Sequence, residues 1–363
     1  MIETIELTGI DPLVFGDGRP YGADRGAQSV GGQPLPYPST LSGALRTAIA
    51  EHLGLPFTSE TATRLRSFKI RGPFLLYRSD YTLPTPSNYV LMQVGESNQV
   101  FVSQPLELRA DEGVDLPDGL LPCGLKDVPP AAMPTKDAGP HRLTLADTVQ
   151  WLLDGQMHSS EIIPPVPIET RIHVGIRPET MTSAEGMLFH TAGSVLNDDF
   201  RLVAEISHDG TAPLFGEGGT LTLGGERRCS LTKPAAPIPK CPTEVQTSLS
   251  NAKRVALTLA TPAIFSRGYR PAWTTPPGAS SSLTLTLRSV VSPRRQAVSG
   301  WDLLTKAPKA ARWLLPAGAV LFFDVDGGNP AELADLWLQP VSDGEADRND
   351  GFGLGIWTPV RTL

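Results

Sequence analysis

At 363 residues and 40% apolar content, the chain is long enough for roughly two domains and a sizeable core. Gly 35 and Pro 35 together stand above the usual share of ~12% without reaching low complexity, which predicts many loops. The net charge of −7 argues, taken alone, against a nucleic-acid partner, because domains of that kind are usually basic.

The opening MIETIELTGIDPL carries acids and no apolar run of signal-peptide type, and Ile2 to Thr8 alternates as a strand does. A loop follows with glycines at 16, 18, 22, 26, 31 and 32, able to lie against another surface without side chains between. Pro34, Pro36 and Pro38 stiffen its approach to a helix over 41–53, with Ser39 or Thr40 at the N-cap and an apolar stripe of Leu41, Ala44, Leu45, Ala48, Ile49 and Leu53. Gly54 closes it. Ser42, Gly43, Arg46 and Thr47 fall on the other face, so loop and helix together offer N–H groups, hydroxyls and a guanidinium to an anion. Leu65 to Tyr77, Asn88 to Val94 and Val100 to Arg109 read as strands. Asp111 to Pro140, proline-rich and without period, reads as an insertion.

Leu145 to Asp154 is expected as a short helix with Thr144 at its cap, Asp147 three residues on and Gly155 behind it. Ile163 to Ile168 is extended, and Phe200 to Ile206 and Thr220 to Leu223 alternate as half-buried strands. Prolines 234, 237, 239 and 242 form a stiff connector, taken as the domain boundary. Strand patterns restart at RVALTLATPAIF and SLTLTLRSVV, and AVLFFDV, apolar on both faces, suits an inner strand. Asn329 and Pro330 open a further helix, and the chain closes on GFGLGIWTPV. The longest apolar stretch, Trp313 to Phe323, is too short to span a bilayer, so a cytoplasmic protein with no membrane partner is expected. Cys123, Cys229 and Cys241 show no C-x-x-C spacing and read as reduced structural thiols. Two sets of strands with few helices point to an α+β fold.

The distribution of charge reverses the message of the total. Residues 251–312 hold ten basic side chains (Lys253, Arg254, Arg267, Arg270, Arg288, Arg294, Arg295, Lys306, Lys309 and Arg312) and one acid, Asp302. A smaller excess lies at Arg64, Arg66, Lys69, Arg71 and Arg78. Such asymmetry is what a phosphate-binding face leaves in a sequence, the alternative being a solvated face that balances acidic neighbours. Arg227 and Arg228 follow two glycines, Arg267 and Arg270 flank Gly268 and Tyr269, and Arg294 and Arg295 follow Pro293. Guanidinium groups in loops beside a ring suit single-stranded RNA.

Other chemistry fits less well. Gly351, Gly353 and Gly355 resemble a dinucleotide-binding turn, but only eight residues remain after Gly355 and no helix can follow. They are either a backbone surface open to RNA or a closing strand that packs tightly. The six histidines (52, 141, 158, 173, 190 and 208) show no zinc-site spacing, and His173 and His190 read as structural. Asp343, Glu345, Asp347 and Asp350 approach a calcium loop, yet Arg348 and Leu354 stand where its glycine and glutamate belong. Asp324 and Asp326 read as caps of a turn before Gly327. No metal and no cofactor is expected.

The run from Asp11 through PYPSTLSGALRTAI resembles the start of the RAMP-superfamily subunit that binds the crRNA 5′ tag in type III-B CRISPR Cmr effector complexes. ETRIHVGI with SAEGMLF (Glu169 to Phe189), GGERR (Gly224 to Arg228), and GWDLLTKAPKAARWLLPAGAVLFF with the terminal GFGLG follow in family order, whereas residues 55–140 show no match. The resemblance implies two ferredoxin-like (RNA-recognition-type) domains with large loop insertions, here 1–243 and 244–363. It implies a non-catalytic subunit that grips the repeat-derived tag of the guide RNA and joins the large signalling subunit to the backbone RAMP filament. The residues expected at the RNA are Arg19, Gly22, Ser39, Thr40, Arg46, Gly225, Arg227, Arg228, Arg267, Arg270, Arg294, Arg295, Gly353 and Gly355. Two alternatives stand beside it: a metal-independent endoribonuclease that matures guide RNA with His52 or His173 as base, and a protein-only scaffold whose basic window meets acidic subunits.

Overall fold

The strand at Ile2–Gly9 buries Ile5 and Leu7 and takes partners on both edges that lie some two hundred residues further along the chain. The computed structural model describes residues 1–16, 28–30, 32–117, 119–136, 139–155 and 162–360. These residues form a mixed α+β protein of two compact units, the first made of 1–79, 165–238 and 297–313, the second of 80–164, 239–296 and 314–363. Both expected segments, 1–243 and 244–363, therefore contribute residues to both units.

In the first unit, five antiparallel strands run in the spatial order Gly219–Thr222, Cys229–Pro234, Ile2–Gly9, Phe200–Ser207, Lys69–Tyr77. Leaving out the outermost, the four central strands stand in the order fourth, first, third, second of the sequence. Helix α1, Pro38–His52, buries Leu41, Leu45 and Ile49 against this sheet. Its close approach needs Gly72, where a Cβ would meet Val203 O at 2.9 Å and Leu41 Cδ2 at 3.2 Å. The helix begins three residues before the expected start, because Pro38 already has the helical φ and occupies the first position; Tyr37 is the N-cap, without a side-chain bond. At its other end Leu55 N–H donates to Ala50 O and Gly54 N–H to Glu51 O, the paired bonds that a left-handed glycine allows.

The expected strand from Leu65 is shorter than its pattern suggested. Thr58 accepts from Thr61 N–H and opens a second helix, α2, Ser59–Arg66, so that the strand starts only at Lys69. At the inner edge of that strand Arg71 faces Glu205 across the ladder, with Nε and Nη2 at 2.7 and 2.5 Å from Oε1. Between Phe200–Ser207 and Cys229–Pro234 the connection carries the short strand Gly219–Thr222 and, among the described residues, no helix. A long hairpin, Ile168–Ile176 with Ser183–Ser194, pairs in parallel with Gln28–Val30, and leaves Ile172, Val174, Met181 and Leu188 exposed.

The second unit has its own antiparallel sheet in the order Thr284–Val291, Val320–Gly327, Arg254–Leu259, Leu354–Pro359, Gln339–Pro340. Its first four strands repeat the same arrangement, read from the other edge. Val320–Gly327 is an inner strand, as its two apolar faces predict, and Phe323, Trp273 and Trp357 pack ring against ring beside it. Helix α3, Leu145–Asp154, has the expected bounds: Thr144 accepts from Asp147 N–H, and Gly155 takes φ 73°. Thr243–Leu249 forms α4, which the proline-rich approach concealed, and Pro330–Ala334 is a single 3-10 turn capped by Asn329. Among the described residues of the insertion 111–140, only Cys123–Leu125 and Met133–Pro134 are regular, as edges of the sheet that holds Tyr89–Val94 and Ser97–Pro105.

The three thiols are free and differ in setting: Cys241 is buried, Cys123 half-buried and Cys229 exposed. Burial, helped by Glu244 and Asp335, pushes the Cys241 thiol up to about 12, so at neutral pH it holds almost no thiolate. Alkylation of the native chain at pH 8 is expected to modify Cys229 first and to spare Cys241; equal labelling of the two would contradict this packing. Replacing Arg71 by Leu strands Glu205 inside the sheet and is expected to cost about 3–5 kcal/mol in urea unfolding, the penalty of an uncompensated buried charge.

Candidate nucleic-acid interface

The GGERR turn joins Gly219–Thr222 to Cys229–Pro234. Gly224 takes φ 84°, and a Cβ there would stand 2.4 Å from Val14 O; Gly225 N–H donates to the same oxygen at 2.7 Å. Both glycines therefore press the turn onto the chain segment that leaves the opening strand. Glu226 and Arg227 follow with φ 55° and 53°, left-handed backbone that side chains other than glycine seldom adopt. Strain of this kind costs of order 1–3 kcal/mol and clusters at functional sites. Its consequence here is directional. Arg228 turns inward, 17% exposed, with Nη2 2.8 Å from Glu226 and Nη1 4.0 Å from Asp11, while Arg227 projects into solvent and, among the described residues, makes no ion pair. Arg171 joins this charged group, its guanidinium held above the usual range by Glu169 first and then by Asp11 and Glu226.

The first turn of α1 holds Ser39 and Thr40, both half-buried, with Ser39 O accepting from the Ser42 hydroxyl. The Arg46 guanidinium is engaged within its own unit. Its Nε donates to Leu65 O at 2.9 Å and its Nη2 to Phe68 O at 3.2 Å, which fastens α1 to the carboxyl end of α2, and Ser42 beneath it is fully buried. Arg19 and Gly22 lie outside the described residues, as do 17–27 and 31 of the glycine-rich loop.

In the second unit, residues 264–272 form a tight loop held from inside. The Asp343 carboxylate accepts from Ser266 N–H, the Ser266 hydroxyl and Ala272 N–H, and Arg348 donates to Ser342 O and Asp343 O. The acidic run 343–350 is thus a brace, with its last residues in helix α5, Glu345–Asp350. Arg267 and Tyr269 are exposed on the loop, and the Arg270 guanidinium carbon lies 5.8 Å from the Tyr269 ring centre, with Nε and Nη2 buried and, among the described residues, bonded to no acceptor. Arg294 and Arg295 are exposed just past the end of Thr284–Val291. Gly353 and Gly355 are buried: a Cβ on the first would meet Ser342 N at 2.9 Å, and on the second Leu257 Cδ1 at 2.6 Å and Thr258 O at 2.9 Å. Their smallness serves the packing of the closing strand, the second of the two readings open for GFGLG.

Several cations of the two basic windows are paired within their own unit. Arg254 and Arg288 share Asp324, Arg254 also meets Glu107, Arg71 holds Glu205, and Arg64 lies 3.7 Å from Asp209. Lys253, Arg267, Arg294, Lys306, Lys309 and Arg312 remain exposed. Lys306, Lys309 and Arg312 belong to the first unit, where Asp302 on the same arm lies 3.6 Å from Arg66, so the two windows seen in the sequence meet there. His173 donates to or accepts from Thr191 Oγ1 at 2.9 Å and stacks on Phe189, and His208 bonds Glu3, a link without sequence signal. Among the described residues no three His, Cys, Asp or Glu side chains converge as a metal site would need.

Residues 5–360 match the family model described as CRISPR-associated protein (Cas_Cmr3). No curated protein matches the chain. Among solved structures it is similar to a chain of the type III-B Cmr-beta complex bound to cognate target RNA, at 14% identity over 88% of this chain and 86% of that one, with a TM-score of 0.48. A chain of the same complex with AMPPnP gives 15% identity, the same coverage and 0.47. A chain of the Csm3-Csm4 subcomplex of the type III-A CRISPR-Cas interference complex gives 9% identity over 99% and 100%, with 0.40.

The two carbonyl bonds assign Arg46 to stability. Arg46→Met is expected to lower the unfolding free energy by roughly 2 kcal/mol, because two charge-assisted bonds are lost from partly buried acceptors, and to leave RNA affinity of the folded chain unchanged. Weaker RNA binding at unaltered stability would return Arg46 to the interface.

Proposed function

The chain belongs to the Cas_Cmr3 family of CRISPR-associated proteins, a subunit family of type III-B Cmr complexes, and from that premise we propose that it holds the repeat-derived 5′ tag of the guide RNA. It would do so as a non-catalytic cytoplasmic subunit that joins the large signalling subunit to the backbone RAMP filament. The observation that carries the reading is the sorting of arginines: Arg227 and Arg267 reach solvent on turns that the residues beside them fix, and Arg294 and Arg295 are exposed just past a strand end. Backbone held in this way loses little entropy when a phosphate arrives, so charge is delivered at fixed positions. No bond is made or broken in this account. RNA phosphates pair with the exposed guanidinium groups, and splayed bases find rings such as Tyr269.

Ser39, Thr40, Arg19 and Gly22 enter the proposal through the glycine-rich loop and the helix it leads into, whose first N–H groups suit an anion. Gly225, Arg228 and Arg270 shape the two arginine turns. Arg46, Gly353 and Gly355 support the fold beneath them. The proposal extends to architecture: two ferredoxin-like domains, with core strands in 1–243 and 244–363 respectively. Two four-stranded antiparallel arrangements in the order fourth, first, third, second support it. The endoribonuclease alternative loses His173 to Thr191 and Phe189, where it has a structural place.

Fluorescence anisotropy of a labelled repeat-tag RNA, run over a salt series beside a scrambled RNA, tests the reading. The tag is expected to bind more tightly, and Arg227→Ala or Arg294→Ala/Arg295→Ala to weaken it with a fall in salt slope of about 0.7 per lost phosphate contact. Absence of salt-dependent affinity for either RNA, with or without the large subunit present, would favour the scaffold reading. Cleavage of repeat RNA in the absence of divalent ions would favour the nuclease.

A further inference from the structure

Residues 297–313 form an arm that the proposed function does not use. Two short ladders build it, Gln296–Val298 with Arg312–Leu314 at the root and Trp301–Asp302 with Ala307–Pro308 toward the tip. Lys309 N–H donates to Gly300 O at 2.8 Å and the Ser299 hydroxyl to Lys309 O at 2.7 Å, which keeps the ladders in one register. The tip is shaped by Asp302, whose carboxylate accepts from Leu304 and Thr305 N–H, and by Lys306 at φ 52°. Those two N–H groups, then Arg66 and Lys309, hold the Asp302 carboxyl below its usual range. At the root Val298 and Leu314 are buried, and the Tyr37 hydroxyl stands 3.5 Å from Ala297 O. Tyr37 is the N-cap of α1, so the arm is rooted where the glycine-rich loop runs into that helix.

The arm carries an unusual surface. Of the six tryptophans in the chain, Trp151, Trp337 and Trp357 are buried and Trp273 is half-buried, whereas Trp301 and Trp313 are 57% and 55% exposed, both on this arm. Lys306, Lys309 and Arg312 are exposed between them. Its one acid already serves the turn and Arg66. Tryptophan and arginine are enriched at protein interfaces, but lysine is depleted there, so the two lysines between the indoles favour a polyanionic partner over a protein one. Indoles and cations together suit a chain of alternating flat rings and negative charges: every base offers a π-face for stacking, and every phosphate a partner for a cation.

We propose that the arm at 297–313 is a base-stacking clamp for single-stranded RNA, with Trp301 and Trp313 as the platforms and Lys306, Lys309 and Arg312 on the backbone phosphates. It rests on the reading of the chain as a guide-RNA subunit and adds a hold on the strand to that of the exposed arginines. Stacking accepts any base, so the clamp supplies affinity without choosing sequence, and the preference for the tag lies elsewhere.

The test uses the full chain with repeat-tag RNA and an oligo(A) of equal length. Because the other tryptophans are shielded, acrylamide quenching reads mainly Trp301 and Trp313, and both RNAs should protect them. Trp301→Ala and Trp313→Ala should each weaken both RNAs by roughly five- to a hundredfold, the range for one base–ring stack. Trp301→Phe should keep most of the affinity, and Lys306→Ala/Lys309→Ala should lower the salt slope by about 0.7 per contact. Unaltered affinity in the Trp variants, whether or not they lose assembly with the large subunit, overturns the clamp; where assembly is lost, the arm is a protein contact. If tag and oligo(A) bind alike while the Trp variants weaken both, the clamp stands and the tag reading falls. A tag preference that survives in Trp variants of unaltered affinity removes the clamp and leaves the tag reading standing.

Discussion

The first unit depends on the pairing of Ile2–Gly9 with strands that begin at Phe200 and Cys229. Closing loops of that length is slow and entropically costly, so the ladder must be secured by what it buries. Ile5, Leu7, Leu202, Val203, Ala204 and Ile206 are all at or near zero exposure. Arg71 and Glu205 add a charged pair in the same sheet, which discriminates between registers more than it stabilises, since any slip would leave two buried charges apart. Once the ladder is set, the segment after Gly9 can go only one way. Leu13 bridges Ser194, and Val14 O receives Gly225 N–H. The arginine turn is thus placed by the sheet, and its exposed guanidinium inherits the rigidity of a core that lies far from it in sequence.

The fold was legible wherever a pattern was local. Helix α3 announced itself by Thr144, Asp147 and Gly155, because a cap and a left-handed stop are made by neighbouring residues. The inner strand Val320–Gly327 showed through its two apolar faces. Where two elements share one apolar run, the pattern misleads: Leu65 is the buried residue of α2 and Ile70 the first buried residue of the next strand, and in the sequence they read as one. The 168–194 hairpin escaped the periodic reading because its strands expose Ile172, Val174 and Leu188, and alternation fades when neither face is uniformly covered. Helix α4 hid behind four prolines, although Thr243 and Glu244 are ordinary helix openers.

The site was less legible, for a reason specific to arginine. A guanidinium has five donors and no acceptor, and its fate depends on whichever oxygen the fold brings near. The sequence shows that Arg46 and Arg227 are both charged and both in polar surroundings; it does not show that Leu65 O and Phe68 O will stand beside the first. Glycine has the same ambiguity. Gly225 and Gly355 look alike in the chain, yet one presses a turn onto Val14 O and the other makes room for Leu257 inside the sheet. The acidic run 343–350 lacks the glycine and glutamate of a calcium loop, and its role as the brace of residues 264–272 leaves no sequence signal, since Asp343 acts across more than seventy residues.

An excess of seven negative charges is compatible with the proposed RNA face once pairing is taken into account. Long-range attraction follows net charge, but at the Debye length of about 8 Å that holds in physiological salt a phosphate responds to the side chains nearest it. In this chain the acids near the arginine turns are engaged: Glu226 and Asp11 with Arg228, Asp343 with backbone N–H groups, Asp302 with the arm's own turn. Each such acid holds a loop in place, and those that also meet a cation, Glu226 and Asp11 at Arg228 and Asp302 at Arg66, have their charge partly offset. The surplus acids lie on other parts of the sequence, where they discourage non-specific binding of nucleic acid. On the proposed reading, an acidic chain whose cationic loops are held by carboxylates would be selective, repelling polyanions in general and taking them only where arginine, lysine and a ring are exposed.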